Sequence, residues 1–231
     1  MKKIVVLTGA GISAESGIKT FRDADGLWEG HDIMEVASPQ GFKANPALVL
    51  DFYNQRRRQL LKVKPNTAHK KLVTLEKKFE VQIVTQNVDD LHERAGSKKV
   101  IHLHGELLKS RNIINSEKIY TCKTDIKIGD KCKTDYQLRP HIVWFGEAVP
   151  MLNKAIEIVA ECDILVIIGT SMQVYPAASL VDYIKPNTPI YFIDPKPAIS
   201  ENRFNNLTII SETATKGMPI LIEKLNQYIV K

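Results

Sequence analysis

Short, unbroken apolar runs alternate along this chain with longer segments whose apolar residues recur at helical spacing. The runs KIVVLTG, VQIVTQN, KVIHLHG, HIVWFG, DILVIIGT and PIYFID are rich in β-branched residues and often end in glycine or a polar residue. Such runs read as strands buried on both faces. Between them, Pro46 to Leu61, Ala68 to Phe79, Met151 to Glu161 and Pro219 to Val230 carry helical periodicity. The alternation predicts an α/β fold, a Rossmann-like doubly wound parallel sheet. Residues 23–61 and 106–138 interrupt the pattern with turn residues and charge. They are expected to form a smaller inserted lobe of one domain spanning 1–231, whose large lobe takes 1–22, 62–105 and 139–231.

Composition narrows the setting. The 231 residues are 44% hydrophobic and 25% charged, enough to bury a real core. No apolar stretch approaches the roughly 20 residues of a membrane-spanning helix, so no membrane partner is expected. The start, MKKIVVLTGAG, has basic residues before an apolar run, but that run is too short for a secretory signal. Three cysteines make no disulfide framework, so a reducing, cytoplasmic location is expected. The net charge of +6 is read as lysines on a solvated surface, with no nucleic-acid partner, although an anionic cofactor would also be served.

In an open parallel sheet, ligands bind beyond the carboxyl ends of the strands, so the polar residues that follow strands are the candidates. VVLTGAGISAESGIKTFR passes from a strand into Gly9, Gly11 and Gly17, where backbone could approach a pyrophosphate and a helix start could offer unpaired amides. Its spacing is not the usual Gly-x-Gly-x-x-Gly of dinucleotide sites. Arg22 beside Phe21 suits a phosphate. TQNVDDLH sets Gln86, Asn87 and Asp89 at the sheet edge, fit either to hold a ribose or carboxamide or to cap a short helix. His104 in HLHGE is a candidate general base near neutral pH. Gly169, Thr170 and Ser171 offer a second phosphate or ribose contact, and HIVWFGE and MQVYPA supply aromatic groups and extended backbone for a substrate.

Taken in order, GAGISAESGIKTFR, TQNVDDLH, HLHG, RPHIVWFGE and GTS resemble the successive motifs of the sirtuins, NAD-dependent protein deacylases. The resemblance runs from Lys3 to about Tyr228. It implies NAD as cofactor, acylated lysine side chains of proteins as substrate, and nicotinamide and O-acyl-ADP-ribose as products. It implies His104 as the general base toward a ribose hydroxyl, with Asn87 and Asp89 beside it as catalytic residues and Gln86 near the nicotinamide ribose. Gly9, Ala10, Gly11, Ser13 and Ala14 match the pyrophosphate side, Phe21 a shield over the reacting face and Arg22 a phosphate contact. Gly169, Thr170 and Ser171 match the adenosine side; Trp28 and Ala214 also match the cofactor site. Asp194 stands where the family commonly has an asparagine on the adenine ribose, and Lys19 where it often has proline.

The family's substrate peptide adds as a strand between two segments, matched here by Val143, Phe145, Gly146 and Glu147 on one side and Val174 and Tyr175 on the other. Tyr53 and Arg56 in FYNQRRRQ resemble the pair with which some sirtuins read succinyl and malonyl groups as well as acetyl, while Arg57 and Arg58 read as a solvated helix end. Mono-ADP-ribosyl transfer and a non-catalytic NAD or ADP-ribose binding module are the alternatives. The oligomeric state is left open.

YTCKTDIKIGDKCKTDY lies where zinc-bearing sirtuins carry two Cys-x-x-Cys pairs. Only Cys122 and Cys132 are present, fewer than the four ligands of a closed structural site, with Asp125 and Asp135 as weak substitutes. No zinc is expected, and both cysteines read as free thiols. The small lobe then has a helical part and a degenerate zinc-ribbon-like part, with NIIN, EKIYT and IKIG as short strands.

Overall fold

The computed structural model describes residues 1–19, 27–28, 30–114, 118–133, 135–197 and 204–229, with Leu27 and Trp28 described by backbone alone. The expected contacts Phe21 and Arg22 lie outside them, and for Trp28 only the backbone pairing with His31 is described. The chain runs β1 (Lys3–Thr8), α1 (Gly11–Ala14), β2 (Leu27–Trp28), β3 (His31–Asp32), α2 (Ile33–Val36), α3 (Pro39–Ala44) and α4 (Pro46–Leu60). It continues through α5 (Thr67–Leu75), β4 (Glu80–Thr85), α6 (Leu91–Ala95), β5 (Val100–His102), β6 (Gly105–Asn112), β7 (Ile119–Thr121) and β8 (Leu138–Ile142). It ends with α7 (Leu152–Ala160), β9 (Ile164–Ile168), a 3-10 helix (Ala177–Tyr183), β10 (Ile190–Ile193), β11 (Leu207–Ile210), α8 (Ala214–Leu225) and a short 3-10 turn (Asn226–Tyr228).

A six-stranded sheet has the order β11-β10-β9-β1-β4-β5, and all its pairings are parallel. Its strands read as apolar runs because both faces are covered. Ile4 and Val6 of β1 point into a core with α5 and α8, while Val5 and Leu7 point into a second core with α7 and the 3-10 helix. Strand direction alternates side chains between those cores, so β1 carries only apolar residues between Lys3 and Thr8. A separate antiparallel sheet, β7-β6-β8, packs with α2 and α4 around a third core of Val49, Phe52, Leu107, Ile142 and Trp144.

Several boundaries differ from the sequence expectations. HIVWFG contributes β8 to the antiparallel sheet, not to the parallel one; its apolar run reflects packing on the third core. The α5 helix stops at Leu75, and turns carry the chain to Phe79. The last helix starts at Ala214, before Pro219, because Glu15 accepts hydrogen bonds from the Thr215 amide (2.9 Å) and from the Thr213 and Thr215 hydroxyls. That remote carboxylate satisfies a first-turn donor that the local sequence leaves open.

Of the expected hairpin, EKIYT supplies β7, but Ile126 to Gly129 form no strand. Instead the Asn54 amide grips Ile126 at both backbone groups, Nδ2 donating to its carbonyl and Oδ1 accepting from its amide, each at 2.9 Å. Arg57 is also unlike its expectation: it is fully buried, donating to the Leu107 carbonyl (3.1 Å) and to Asn54 Oδ1 (2.7 Å). Arg58 does sit at the surface, paired with Asp125.

Candidate active site

The site begins where the parallel strands end. Gly9 donates its amide to Ile168 O (3.1 Å) and Gly11 to Gly169 O (2.8 Å), drawing the loops after β1 and β9 together. A Cβ on Gly11 would stand 2.6 Å from Gly169 Cα, and one on Gly169, whose φ is +62°, would stand 2.4 Å from the Ile12 amide. These glycines are therefore required by loop-to-loop contact, whatever else they bind. The amides of Gly11, Ile12 and Ser13 all donate within the protein, so the unpaired donors expected at this helix start are not those three. Ala10 and Ala14 flank them, Ala14 exposed.

Beside this turn, the loop after β4 collects the amide and carboxylate groups. Gln86 Nε2 donates to Thr170 Oγ1 (3.2 Å), tying it to the Gly169–Ser171 turn. Asn87 Nδ2 donates to the Gly9 carbonyl (3.1 Å) and to Ser13 Oγ (3.3 Å). The buried Asp89 carboxylate accepts from Ser13 Oγ (2.9 Å) and the Leu91 amide (3.1 Å). Its burial raises its pKa to about 6, against the opposing pull of those hydrogen bonds and of the nearby His102 charge. Gln86, Asn87, Asp89, Gly9, Gly11, Ser13 and Thr170 thus form one connected patch.

His104 follows β5 and borders the patch. Its Nδ1 meets the Gln86 carbonyl at 3.0 Å, and because a carbonyl only accepts, Nδ1 carries the proton. Nε2 is left with the lone pair. Burial lowers the pKa of His104 below the ordinary histidine value, opposed by the bond to Gln86, so the ring is neutral at pH 7. A neutral imidazole of fixed tautomer is what a general base requires.

The remaining expected residues spread around this centre. Asp194, after β10, is buried and accepts from the Lys196 amide (2.8 Å). Ala214 lies in the core under the start of α8. Val143 donates its amide to the His104 carbonyl (2.9 Å), so this segment, expected on the substrate side, abuts the candidate base. Val143 to Glu147 is not a strand here but a turn, with Gly146 at φ +87°. The Glu147 carboxylate is taken up internally by Arg139 (2.8 and 2.9 Å), Arg111 (3.1 Å) and the Trp144 amide (2.8 Å). Phe145 is exposed, as is Tyr175 at 68%, while Val174 is half-buried. Tyr53 is fully buried, its hydroxyl accepting from Trp144 Nε1 (3.0 Å), and the Arg56 guanidinium lies 4.2 Å from the centre of the Phe52 ring.

Sequence reasoning missed a buried polar layer beneath the patch. Thr8 donates to Thr85 (2.8 Å) and accepts from His92 Nε2 (3.0 Å), and His69 stands against His92 with ring centres 4.9 Å apart. The signal was the polar residue closing each strand, Thr8 and Thr85, which was read only as a strand end. Arg139 and Arg111 were missed as well, although RPHIVWFGE pairs an arginine with a glutamate eight residues on.

Order β5-β4-β1-β9-β10-β11 places a topological switch between β1 and β9, and the glycine turns and polar patch occupy it. Amide, hydroxyl and carboxylate groups at such a switch define a dinucleotide-binding Rossmann-like protein, and the donor set fits NAD. The sequence model of the Sir2 family matches residues 9–176. The chain is 60% identical over 225 residues to an NAD-dependent protein deacylase of Helicobacter pylori (strain ATCC 700392 / 26695), covering 97% of this chain and 98% of that protein. The solved structure of a Sir2 homolog–NAD complex matches with a TM-score of 0.88 at 38% identity, covering 99% of this chain and 91% of that one. One of Sir2 bound to acetylated peptide matches with a TM-score of 0.80 at 29% identity, over 96% and 93% of the two chains. The chain belongs to the Sir2 family, the sirtuins.

Proposed function

We propose that this chain is an NAD-dependent protein-lysine deacylase whose reaction centre lies at His104, Asn87 and Asp89. Family membership supports the activity, and the single observation that supports the roles is the His104 geometry: Nδ1 is committed to Gln86, and Nε2 is free to take a proton. NAD, when bound, supplies a ribose that parts from nicotinamide and takes up the acyl group. Gln86, Asn87 and Asp89 would hold its nicotinamide end with Phe21 shielding the reacting face, the Gly9–Ala14 turn with Arg22 its pyrophosphate, and Gly169, Thr170, Ser171 and Asp194 its adenosine end, with Trp28 and Ala214 also lining the cofactor site. His104 withdraws the proton from a hydroxyl placed before it and holds it at Nε2. Val143, Phe145, Gly146 and Glu147 on one side and Val174 and Tyr175 on the other would receive the acyl-lysine peptide.

Within this reading, residues 23–61 and 106–138 belong to the small lobe and 1–22, 62–105 and 139–231 to the large one, except that β8 (Leu138–Ile142) pairs with β6 and so joins the small lobe's sheet. The small lobe works without zinc. Cys122 is buried beside Leu50 and Ile126, its thiol 3.4 Å from the Thr124 carbonyl, and among the described residues no three His, Cys, Asp or Glu side chains converge. Metal analysis of protein purified without chelator should give well under one zinc per chain; a stoichiometric value defeats this part of the proposal.

Incubation with NAD and an acylated peptide, read by mass spectrometry, tests the function. O-acyl-ADP-ribose is the expected product. ADP-ribosylated protein would favour transfer to protein, and neither product would leave a binding module. His104→Gln should lose about 10²–10⁴ in kcat while keeping NAD affinity within a few fold.

A further inference from the structure

We infer that His102 and Glu93 form a positioning pair, in which a positively charged His102 holds the Gln86–Asp89 loop in the shape that engages NAD. This rests on placing NAD at Asn87 and Asp89.

His102 closes β5 two residues before His104, and the two rings treat consecutive residues of the loop alike. His104 Nδ1 binds the Gln86 carbonyl at 3.0 Å, and His102 Nδ1 binds the Asn87 carbonyl at 2.9 Å. They differ on the far side of the ring. His102 Nε2 meets Glu93 Oε1 at 2.7 Å. A carbonyl and a carboxylate both accept only, so both nitrogens of His102 must donate, and a ring that donates twice is an imidazolium. One face of the loop is therefore held by a neutral histidine, the other by a charged one.

The charge sits in a place where it matters. The His102 side chain is only 7% exposed, and Glu93, on α6, is 40% exposed. Burial opposes the charged ring, but the bond to Glu93, its charge and the Asn87 carbonyl together raise the pKa above the ordinary value, with Glu106 of β6 acting in the same sense. Glu106 is itself paired with Lys109, and His92 of α6 is buried and neutral. Asp89 has Asp90 beside it disfavouring ionisation, and His102 is the cation that works in the opposite direction. The pair thus acts on the site twice: by hydrogen bond on Asn87, and by charge on Asp89. Neither residue is among those assigned to NAD; His102 acts through the Asn87 carbonyl and Glu93 through His102.

Loss of the pair should loosen the loop and push the Asp89 carboxyl toward its protonated form. Glu93→Gln keeps the shape and drops the carboxylate; His102→Gln keeps a donor for the Asn87 carbonyl and drops the ring charge. In both, KM for NAD should rise about tenfold with a smaller change in kcat. The acid limb of kcat/KM for NAD should move up by roughly one pH unit, the low end of what a nearby opposite charge contributes. Imidazole-¹⁵N NMR of the unaltered full chain reads the charge directly: at pH 7 His102 should be doubly protonated and His104 singly, at Nδ1. A neutral His102 at pH 7, or an unmoved acid limb in folded Glu93→Gln protein, overturns the inference. Asn87→Ala separates the failures: a raised KM for NAD supports the shared site, and an unchanged KM overturns the placement of NAD whatever the charge of His102.

Discussion

Arg56 and Arg57 adjoin on α4 and have opposite environments. Arg57 turns inward and donates to Leu107 and Asn54, bracing the helix against β6 and the Ile126 loop. Arg56 is half-buried over the Phe52 ring, one helical turn from Tyr53, and both Phe52 and Tyr53 belong to the third core that also holds Trp144. Trp144 in turn bonds Tyr53 and belongs to the segment proposed to receive the acyl-lysine. An acidic acyl end reaching this corner would meet a guanidinium, which forks onto a carboxylate in a way no acetyl group can use. Charge-assisted hydrogen bonds are worth about 1.5–3 kcal/mol, so Arg56→Met should cut kcat/KM on a succinylated peptide by roughly ten- to a hundredfold. The acetylated peptide should change by less than about threefold, because it offers no carboxylate to lose. Equal losses on both peptides, measured side by side, would refute acyl reading by this residue.

The turn from Val143 to Glu147 shows how an element can depend on charges outside it. The Glu147 carboxylate gathers both guanidiniums and the Trp144 amide, and Arg139 also stacks 3.4 Å from the centre of the Trp144 ring. Those bonds hold Glu147 below the usual carboxylate range despite the cost of burying it. Glu147→Ala would leave two buried guanidiniums uncompensated, a loss of about 3–5 kcal/mol. The expected fall in Tm is roughly 10 °C, with a raised peptide KM if the turn forms the substrate wall. A Tm within about 2 °C of the parent would show that the pair of arginines does not depend on Glu147. Such dependence explains what the sequence revealed. The parallel strands and the polar residues after them were legible, because strand burial and strand-end position are local facts written as apolar runs. The sequence pattern makes Arg57 a solvated residue, HIVWFG a buried strand of the parallel sheet and IKIG a hairpin arm. Each error has one origin: the partner that decides the outcome, Leu107, the third core or Asn54, is distant in sequence. His102 was passed over for the same reason, since only the fold brings Glu93 and Asn87 to its two nitrogens.

At the scale of the whole molecule, histidines buried in the polar layer by the parallel sheet and half-buried on β8 make stability depend on pH. His69 is buried and its pKa is lowered to about 4, mainly by burial; His141 falls to about 4 for the same first reason, and His92 lies well below the ordinary value. Each remains neutral when folded but takes a proton when unfolded once the pH drops below about 6.5. The unfolded chain then binds more protons, so stability falls as pH decreases from about 6.5 to 4, by about 3 kcal/mol for His69 alone. Asp89 acts in the opposite sense. With its carboxyl raised to about 6, the folded chain binds the extra proton between about 4 and 6, which offsets one histidine over that window. Glu147, Glu93 and Glu15, held below the usual range by their partners, add to the acid loss only below about 4.5. Four histidines, His104 among them, against one aspartate leave a net loss, so Tm should decline steadily from pH 6.5 to 4 rather than hold and then collapse. His69→Gln removes one of the protons in question, and its Tm profile between pH 6.5 and 4 should be shallower than the parent's even if its Tm at pH 7.5 is lower. A parent profile flat to pH 4.5 would mean that the buried histidines are not held neutral, and would remove the basis for the layer's role.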